Sequence, residues 1–214
     1  MPENPVQRER DARTEIVATA ERLFRTLGYQ KTTMADIAKE LEMSAANLYR
    51  FFASKAELRD AVGRQLMGEV EDAVSQIADR PGRAGERLRD AFLMMNKMNL
   101  ERYLSDQKMH EMIAVALDES WDMVMEHIRV LEGLVTRICA DGIASGEFKV
   151  KDATLAARCT KTAMIAYCHP QMLEECAEVP GPSAEEMIDF CLAALRAGQY
   201  ADQTPSQELG KSKR

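Results

Sequence analysis

No run of about 18 apolar residues occurs anywhere in this 214-residue chain, so no helix of it is expected to cross a bilayer. The opening MPENPVQRERDART is polar throughout and lacks the apolar centre of a secretory signal, which makes the cytoplasm the expected location. The five cysteines, Cys139, Cys159, Cys168, Cys176 and Cys191, are odd in number and include no Cys-x-x-Cys pair. That pattern argues against a zinc ribbon and against a disulfide framework. Small buried thiols kept reduced are the main expectation, with a Cys168 and Cys176 redox pair as the minority reading. No nucleophile-base motif, Gly-rich phosphate loop or paired-histidine signature supports an enzyme. Asp106 and His110 are four apart, but neither they nor His127 or His169 has a second ligand at a tight spacing; no metal and no cofactor are expected. An excess of positive charge is also missing. The 28 Lys and Arg against 35 Asp and Glu give −7, the wrong sign for a nucleic-acid binder with a basic footprint.

That deficit is unevenly distributed. Up to about Leu66 the signs nearly balance, with Arg8, Arg10, Arg13, Arg22, Arg25, Lys31, Lys39, Arg50, Lys55, Arg59 and Arg64 on the positive side. Almost all the acidic excess follows, so an acidic body can keep the protein soluble while a locally basic head approaches phosphate. Apolar residues make up 46% and charged residues 29%, an ordinary soluble profile, and the length suits a small domain followed by a larger one.

Every extended segment has helical period and none alternates with period two, so the expected fold class is all-α. Ile16, Ala20, Leu23, Phe24 and Leu27 form one stripe, stopped by Gly28. Thr33-Met-Ala-Asp36 has capping-box spacing and opens a short helix through Leu41; Ser44 caps a third helix ending near Phe51 or Phe52. Ser54-Lys-Ala-Glu57 repeats the box and starts a longer helix carrying Leu58, Val62, Leu66 and Val70. Arg80-Pro-Gly-Arg-Ala-Gly85 is the clearest linker. Beyond it helices are expected over 86–103, 106–117 and 119–145, the last with Trp121, Val124, Met125, Ile128, Leu131, Val135, Ile138 and Gly142 on one side. Asp152 caps a helix running towards Pro170, Ser183-Ala-Glu-Glu186 opens the last one, and Gly198 closes it. The polar tail 201–214 reads as disordered.

Two short helices joined by a tight turn and backed by a first amphipathic helix have the build of a helix-turn-helix. The stretch TTMADIAKELEMSAANLYRFFASKAEL resembles the signature of the TetR family of transcriptional regulators, with Ile37-Ala38 near its start and Leu48-Tyr49, Phe52, Lys55 and Leu58 at its close. The resemblance covers about residues 13–62. It implies a DNA-binding head over 1–60, joined by the fourth helix to a helical ligand-binding and dimerisation domain over 61–200. By position it implies a phosphate contact at Thr33, with Ala45, Ala46, Asn47 and Arg50 presented to the groove and Ser44, the cap of their helix, among the DNA-binding residues. Tyr49 and Lys55 match a tyrosine and a lysine that hold the backbone. Asn can pair with adenine and Arg with guanine, whereas the two alanines offer only methyl contact, so DNA shape should carry part of the specificity. One departure is Glu42, where the family usually has glycine; a left-handed backbone there would store strain on the order of 1 kcal/mol. Phe52 is expected to pack against Leu23, Leu27 and Ile37.

For the body, the resemblance implies a dimer and a small-molecule pocket. Methionines crowd this half, and their adaptable shape suits either a promiscuous pocket or plain core. An apolar or aromatic effector is expected among Met98, Tyr103, Met112, Trp121, Met125 and Tyr167. Ala156, Ala157, Ala163, Ala166, Ala193 and Ala194 let the last two helices approach closely, and a four-helix homodimer interface is expected there. The expectation as a whole is a homodimeric repressor released from a near-palindromic double-stranded DNA operator by a small molecule. The alternative is a helical adaptor that acts through a protein partner.

Overall fold

In the computed structural model, which describes residues 5–104 and 107–198, most helix boundaries follow from local signals in the sequence. The expected disorder of 201–214 concerns residues outside that range, as does Asp106. Helix α1 (Pro5–Leu27) ends where Gly28 takes φ +95°. Helix α2 (Met34–Glu40) opens with a complete capping box: the Asp36 N–H donates to Thr33 Oγ1 at 3.1 Å and the Thr33 N–H donates to Asp36 Oδ2 at 2.9 Å. Helix α3 (Ala45–Phe51) is capped by Ser44, which accepts from the Asn47 N–H at 3.2 Å. Helix α4 (Lys55–Asp79) is capped by Ser54, but here the box is skewed, because the Glu57 carboxylate accepts from Ala53 N–H at 2.7 Å.

The body follows as α5 (Ala84–Asn99), continued by a π-helical turn Leu100–Leu104, then α6 (Gln107–Glu119) and α7 (Trp121–Ala144). The helix expected to run unbroken towards Pro170 breaks instead at Met164, which is fully buried. It yields α8 (Ala153–Ala163), the single turn α9 (Ile165–Cys168) and α10 (Pro170–Glu175). Pro170 disfavours helical backbone at the residue before it, and His169 is extended with φ −86° and ψ 126°. Helix α11 (Ala184–Ala197) carries a complete Ser183–Glu186 capping box and ends at Gly198, φ +75°. No strand is present among the described residues.

Among the described residues two apolar cores result. The head core joins Ile16, Ala20, Phe24, Ile37, Leu48, Phe52, Leu58 and Val62, and it takes in Met109 and Met112 from α6. The body core joins α4, α5, α7, α8 and α11 around Leu88, Phe92, Ile138, Phe148 and Ile188. Leu27 is a correction: it is 46% exposed on the last turn of α1, where the chain reverses at Gly28, and does not share the core with Phe52. Ala156 and Ala157 are a second correction, since both are buried inside the monomer and are unavailable to a partner.

The turn between α2 and α3 forces Glu42 to φ +52° while Met43 N–H donates to Ala38 O at 2.9 Å. Glycine removes a left-handed strain of roughly 1–2 kcal/mol at a cost of about 0.5–1 kcal/mol in unfolded-chain entropy. Glu42→Gly is therefore expected to raise the urea midpoint by the equivalent of about 0.5–1 kcal/mol without changing the slope; a lowered midpoint would remove the strain argument.

Candidate nucleic-acid interface and effector cavity

Helix α3 is held from behind. Leu48 is fully buried, while Ala45, Ala46, Tyr49 and Arg50 face solvent, Tyr49 at 50% exposure, with Asn47 half-buried. Burying Leu48 sets the rotation of the helix, and the outward row is the one a DNA groove would meet. At its far end Arg13 of α1 donates Nη1–H to the Phe51 carbonyl at 2.6 Å and lies 4.4 Å over the Phe52 ring. A cation on the last carbonyls of a helix satisfies acceptors that the helix itself leaves open. Sequence reasoning counted Arg13 only as positive charge.

Two of the three expected backbone contacts, Thr33 and Lys55, are set differently. Thr33 is already committed as a cap: its hydroxyl donates to Asp36 Oδ2 at 2.7 Å, and together with its N–H it holds the Asp36 carboxyl below the usual carboxylate range. A phosphate reaching Thr33 would meet that carboxylate. Lys55, at the first turn of α4, donates to Gln30 O at 3.3 Å and sits 4.4 Å over the Tyr29 ring. Its ammonium is thus fixed by a cation–π contact at a helix N-terminus, and partial burial pulls its pKa down.

Beneath Tyr29 lies Arg59, 2% exposed, its guanidinium 5.8 Å from the ring. It pairs with Asp60 at 2.7 Å and Glu119 at 2.5 Å and donates to Ser120 Oγ at 2.8 Å. Ser120 precedes α7 but makes no side-chain cap; its hydroxyl donates to Asp60 instead, at 2.8 Å. This cluster ties the second turn of α4 to the junction of α6 and α7. Nothing in the spacing of Arg59 and Glu119, sixty residues apart, signalled it.

Between α4, α5, α6, α7 and the α8–α10 segment lies an apolar cavity of about 280 Å³, lined by Leu66, Phe92, Met95, Met112, Ile128 and Leu131 among others. Met112 is the one expected effector residue in this lining among those whose side chains are described. Met98 packs on the body core, and Tyr167 turns its hydroxyl to Pro182 O at 2.7 Å. Met125 is half-buried off the lining face of α7, a helical step of one residue away from Val124. Trp121 is the first residue of α7 and 56% exposed, so its place on the stripe does not bring it under cover. Tyr103 falls in the π-helical turn, its side chain outside the described residues, as is that of His110. His169, which no expectation assigned to the cavity, lines it with Nδ1 buried and unpartnered, and burial holds its pKa below the usual histidine value. Its extended backbone before Pro170 was the one legible hint. His127 pairs with Glu71 at 2.6 Å, and among the described residues no three metal-ligating side chains converge. Cys168 lies 3.8 Å from Phe92 O with burial pushing its thiol up to about 12, a poor redox sensor.

The outward faces of α8 and α11 carry Leu155, Cys159, Phe190, Ala193 and Ala194, with Phe190 71% exposed. Among the described residues no helix is long and apolar enough to cross a membrane.

Comparison with known proteins follows the same division of the chain. The sequence model described as bacterial regulatory proteins, tetR family, matches residues 16–62. The one described as tetracyclin repressor-like, C-terminal domain, matches residues 84–185. A Bacillus subtilis (strain 168) protein, the uncharacterized HTH-type transcriptional regulator YhgD, is 23% identical over 147 residues, 69% of this chain and 77% of that protein. The crystal structure of Thermus thermophilus FadR, a TetR-family repressor in complex with lauroyl-CoA, is 19% identical with a TM-score of 0.59, covering 92% of this chain and 99% of that one. RolR in complex with resorcinol is 19% identical with a TM-score of 0.60, covering 92% and 93%.

Proposed function

We propose, for a chain that belongs to the TetR family of DNA-binding transcriptional regulators, that it acts in the cytoplasm as a homodimeric repressor released from its operator by a small molecule. It is a regulator and not an enzyme. The observation that carries the ligand-responsive part is Met112, which belongs to the head core and also lines the body cavity. An occupant of the cavity has to move or brace α6, and α6 is packed into the head. Lys108 of the same helix donates to the Thr26 carbonyl at the end of α1, a second tie. The two arrangements need only differ in ligand affinity for DNA affinity to shift reciprocally. FadR in complex with lauroyl-CoA and RolR in complex with resorcinol support a chain of this fold as a binder of small molecules.

DNA contact is assigned to Ala45, Ala46, Asn47 and Arg50 in the groove, with Ser44 as the cap and Tyr49 and Lys55 on phosphate; Thr33 contributes by holding α2 in place. Dimerisation is assigned to the outward faces of α8 and α11, through Leu155 and Phe190 rather than the buried alanines. A two-fold axis there sets two α3 helices roughly 34–36 Å apart, one DNA turn.

The test is fluorescence anisotropy of a labelled fragment from upstream of this protein's own gene at two salt concentrations. Binding is expected to weaken steeply with salt, because several phosphates are neutralised. Arg50→Ala is expected to weaken it by about 10-fold to 100-fold, about 1–3 kcal/mol, while leaving the fold intact. If the wild type binds neither this fragment nor neighbouring promoters, the reading gives way to an adaptor that works through a protein partner.

A further inference from the structure

We infer that Tyr29 is a positioning residue for DNA binding: its ring seats the Lys55 ammonium for phosphate, and the pairing of Arg59 with Glu119 holds that ring against the junction of α6 and α7. This extends the reading of Lys55 as a phosphate contact and rests on it.

Spacing sets the problem. Lys55 and Arg59 are four apart and share one face of α4, where two like charges oppose each other. Two features remove the conflict. Asp60 and Glu119 give the Arg59 guanidinium two carboxylates, leaving the cluster with one net negative charge close to the ammonium. The Tyr29 ring takes up both cations, with Lys55 Nζ 4.4 Å from its centroid and the Arg59 guanidinium carbon 5.8 Å away. A ring face holds an ammonium without forming an ion pair that an arriving phosphate would have to break. The bond to the Gln30 carbonyl, at 3.3 Å, takes one of the three N–H donors of Lys55.

The ring is fixed in turn. Tyr29 is buried and meets fully buried Phe24 edge to face, with centroids 5.3 Å apart. Buried Thr32 closes the turn that carries it, its hydroxyl donating to the Gly28 carbonyl at 2.8 Å. Burial raises the pKa of the Tyr29 phenol, and the charges of Arg59, Glu119 and Asp60 also act on it, which sets its hydroxyl end beside the cluster. Both ends of α6 tie into this seat. Lys108 in its first turn donates to the Thr26 carbonyl and lays its methylenes beside Gly28, while Glu119, its last residue, pairs with Arg59 at 2.5 Å. A lysine ordered before DNA arrives has already lost the rotamer freedom that binding would otherwise remove.

Two readouts on the full chain test this. In the first, lysines are dimethylated with isotope-labelled methyl groups, which keeps their charge, and the Lys55 NMR signal is the one missing from Lys55→Ala. Ring current is expected to shift it upfield in the wild type and in Tyr29→Phe, to leave it at the free-lysine position in Tyr29→Leu, and to place it between the two in Glu119→Gln. In the second, anisotropy on the labelled upstream fragment follows affinity against salt. Lys55→Ala should flatten the salt slope by about two, one phosphate for each subunit of a dimer. Tyr29→Leu should weaken binding about 5-fold to 100-fold through the two seats of a dimer, with Tyr29→Phe like the wild type. In a Lys55→Ala background neither Tyr29→Leu nor Glu119→Gln should add more than about twofold. A role of Tyr29 in folding alone would weaken binding in both backgrounds.

An unshifted Lys55 signal in the wild type, a Tyr29→Leu loss that persists without Lys55, or a Glu119→Gln protein that matches the wild type in both readouts would each overturn the inference. The wild-type signal and the Lys55→Ala slope decide even if Tyr29→Leu does not fold. A wild type that binds DNA with a slope unchanged by Lys55→Ala removes the seat's role and keeps the chain a DNA binder. A wild type that binds no fragment removes both.

Discussion

Replacing Gly142 by alanine is expected to destabilise the protein by about 2–4 kcal/mol, measured as a drop in the urea midpoint. A Cβ at Gly142 would lie 2.2 Å from Phe148 Cδ2 and 2.5 Å from its Cε2, far inside contact distance. The obstacle is a ring, and it cannot step aside easily. Phe148 is 2% exposed, belongs to the body core, and has its N–H bonded to the Gly142 carbonyl at 2.9 Å. Either α7 shifts away from the loop that follows it or the ring leaves the core, and loss of a buried phenylalanine is worth about 3–5 kcal/mol. The gain in helix propensity from glycine to alanine, about 1 kcal/mol, opposes this without cancelling it. Gly133 in the same helix is the internal control, since a Cβ there meets nothing within 4 Å. Gly133→Ala should stabilise by about 0.5–1 kcal/mol. Equal behaviour of the two variants would mean that the Gly142 and Phe148 packing carries no weight.

Phe190→Glu is expected to convert a dimer to a monomer in sedimentation and to reduce DNA affinity more than 100-fold. Phe190 is 71% exposed on α11 and Leu155 is exposed on α8, a helix that packs against α11, and exposed large apolar groups mark association sites when they form a patch. At a two-fold interface a residue near the axis faces its own copy or that copy's neighbours, so each substitution introduces two carboxylates into one apolar seam. Within the monomer the side chain is already in water, and the change should alter stability by no more than about 0.5 kcal/mol. A single head then holds one half-site, and the gain from linking two binding events is lost. A Phe190→Glu protein that remains dimeric and binds DNA as before would place the interface elsewhere.

Much of the head, and the last helix of the body, was legible because their signals are local. Thr33 and Asp36, Ser183 and Glu186, and Gly28 and Gly198 act on backbone groups within four residues of themselves, so their spacing alone announces a helix end. Glu42 was readable in the same way, as a non-glycine residue where the turn demands a left-handed backbone. The effector residues were not. Met125 and Tyr167 lie on helical stripes as apolar as the one that lines the cavity, and a stripe states which residues are buried together without stating which of them leave a gap.

By itself, then, the sequence determined the all-helical class and the punctuation of the helices, because capping, periodicity and turn chemistry act over a few residues. Only the tertiary structure decided the rest. It brought Arg59 to Glu119 across sixty positions, withdrew Ala156 and Ala157 from any partner, left Trp121 in solvent and buried His169 Nδ1 without a partner. Burial and polar satisfaction are properties of what several distant segments leave between them, and no one segment carries them.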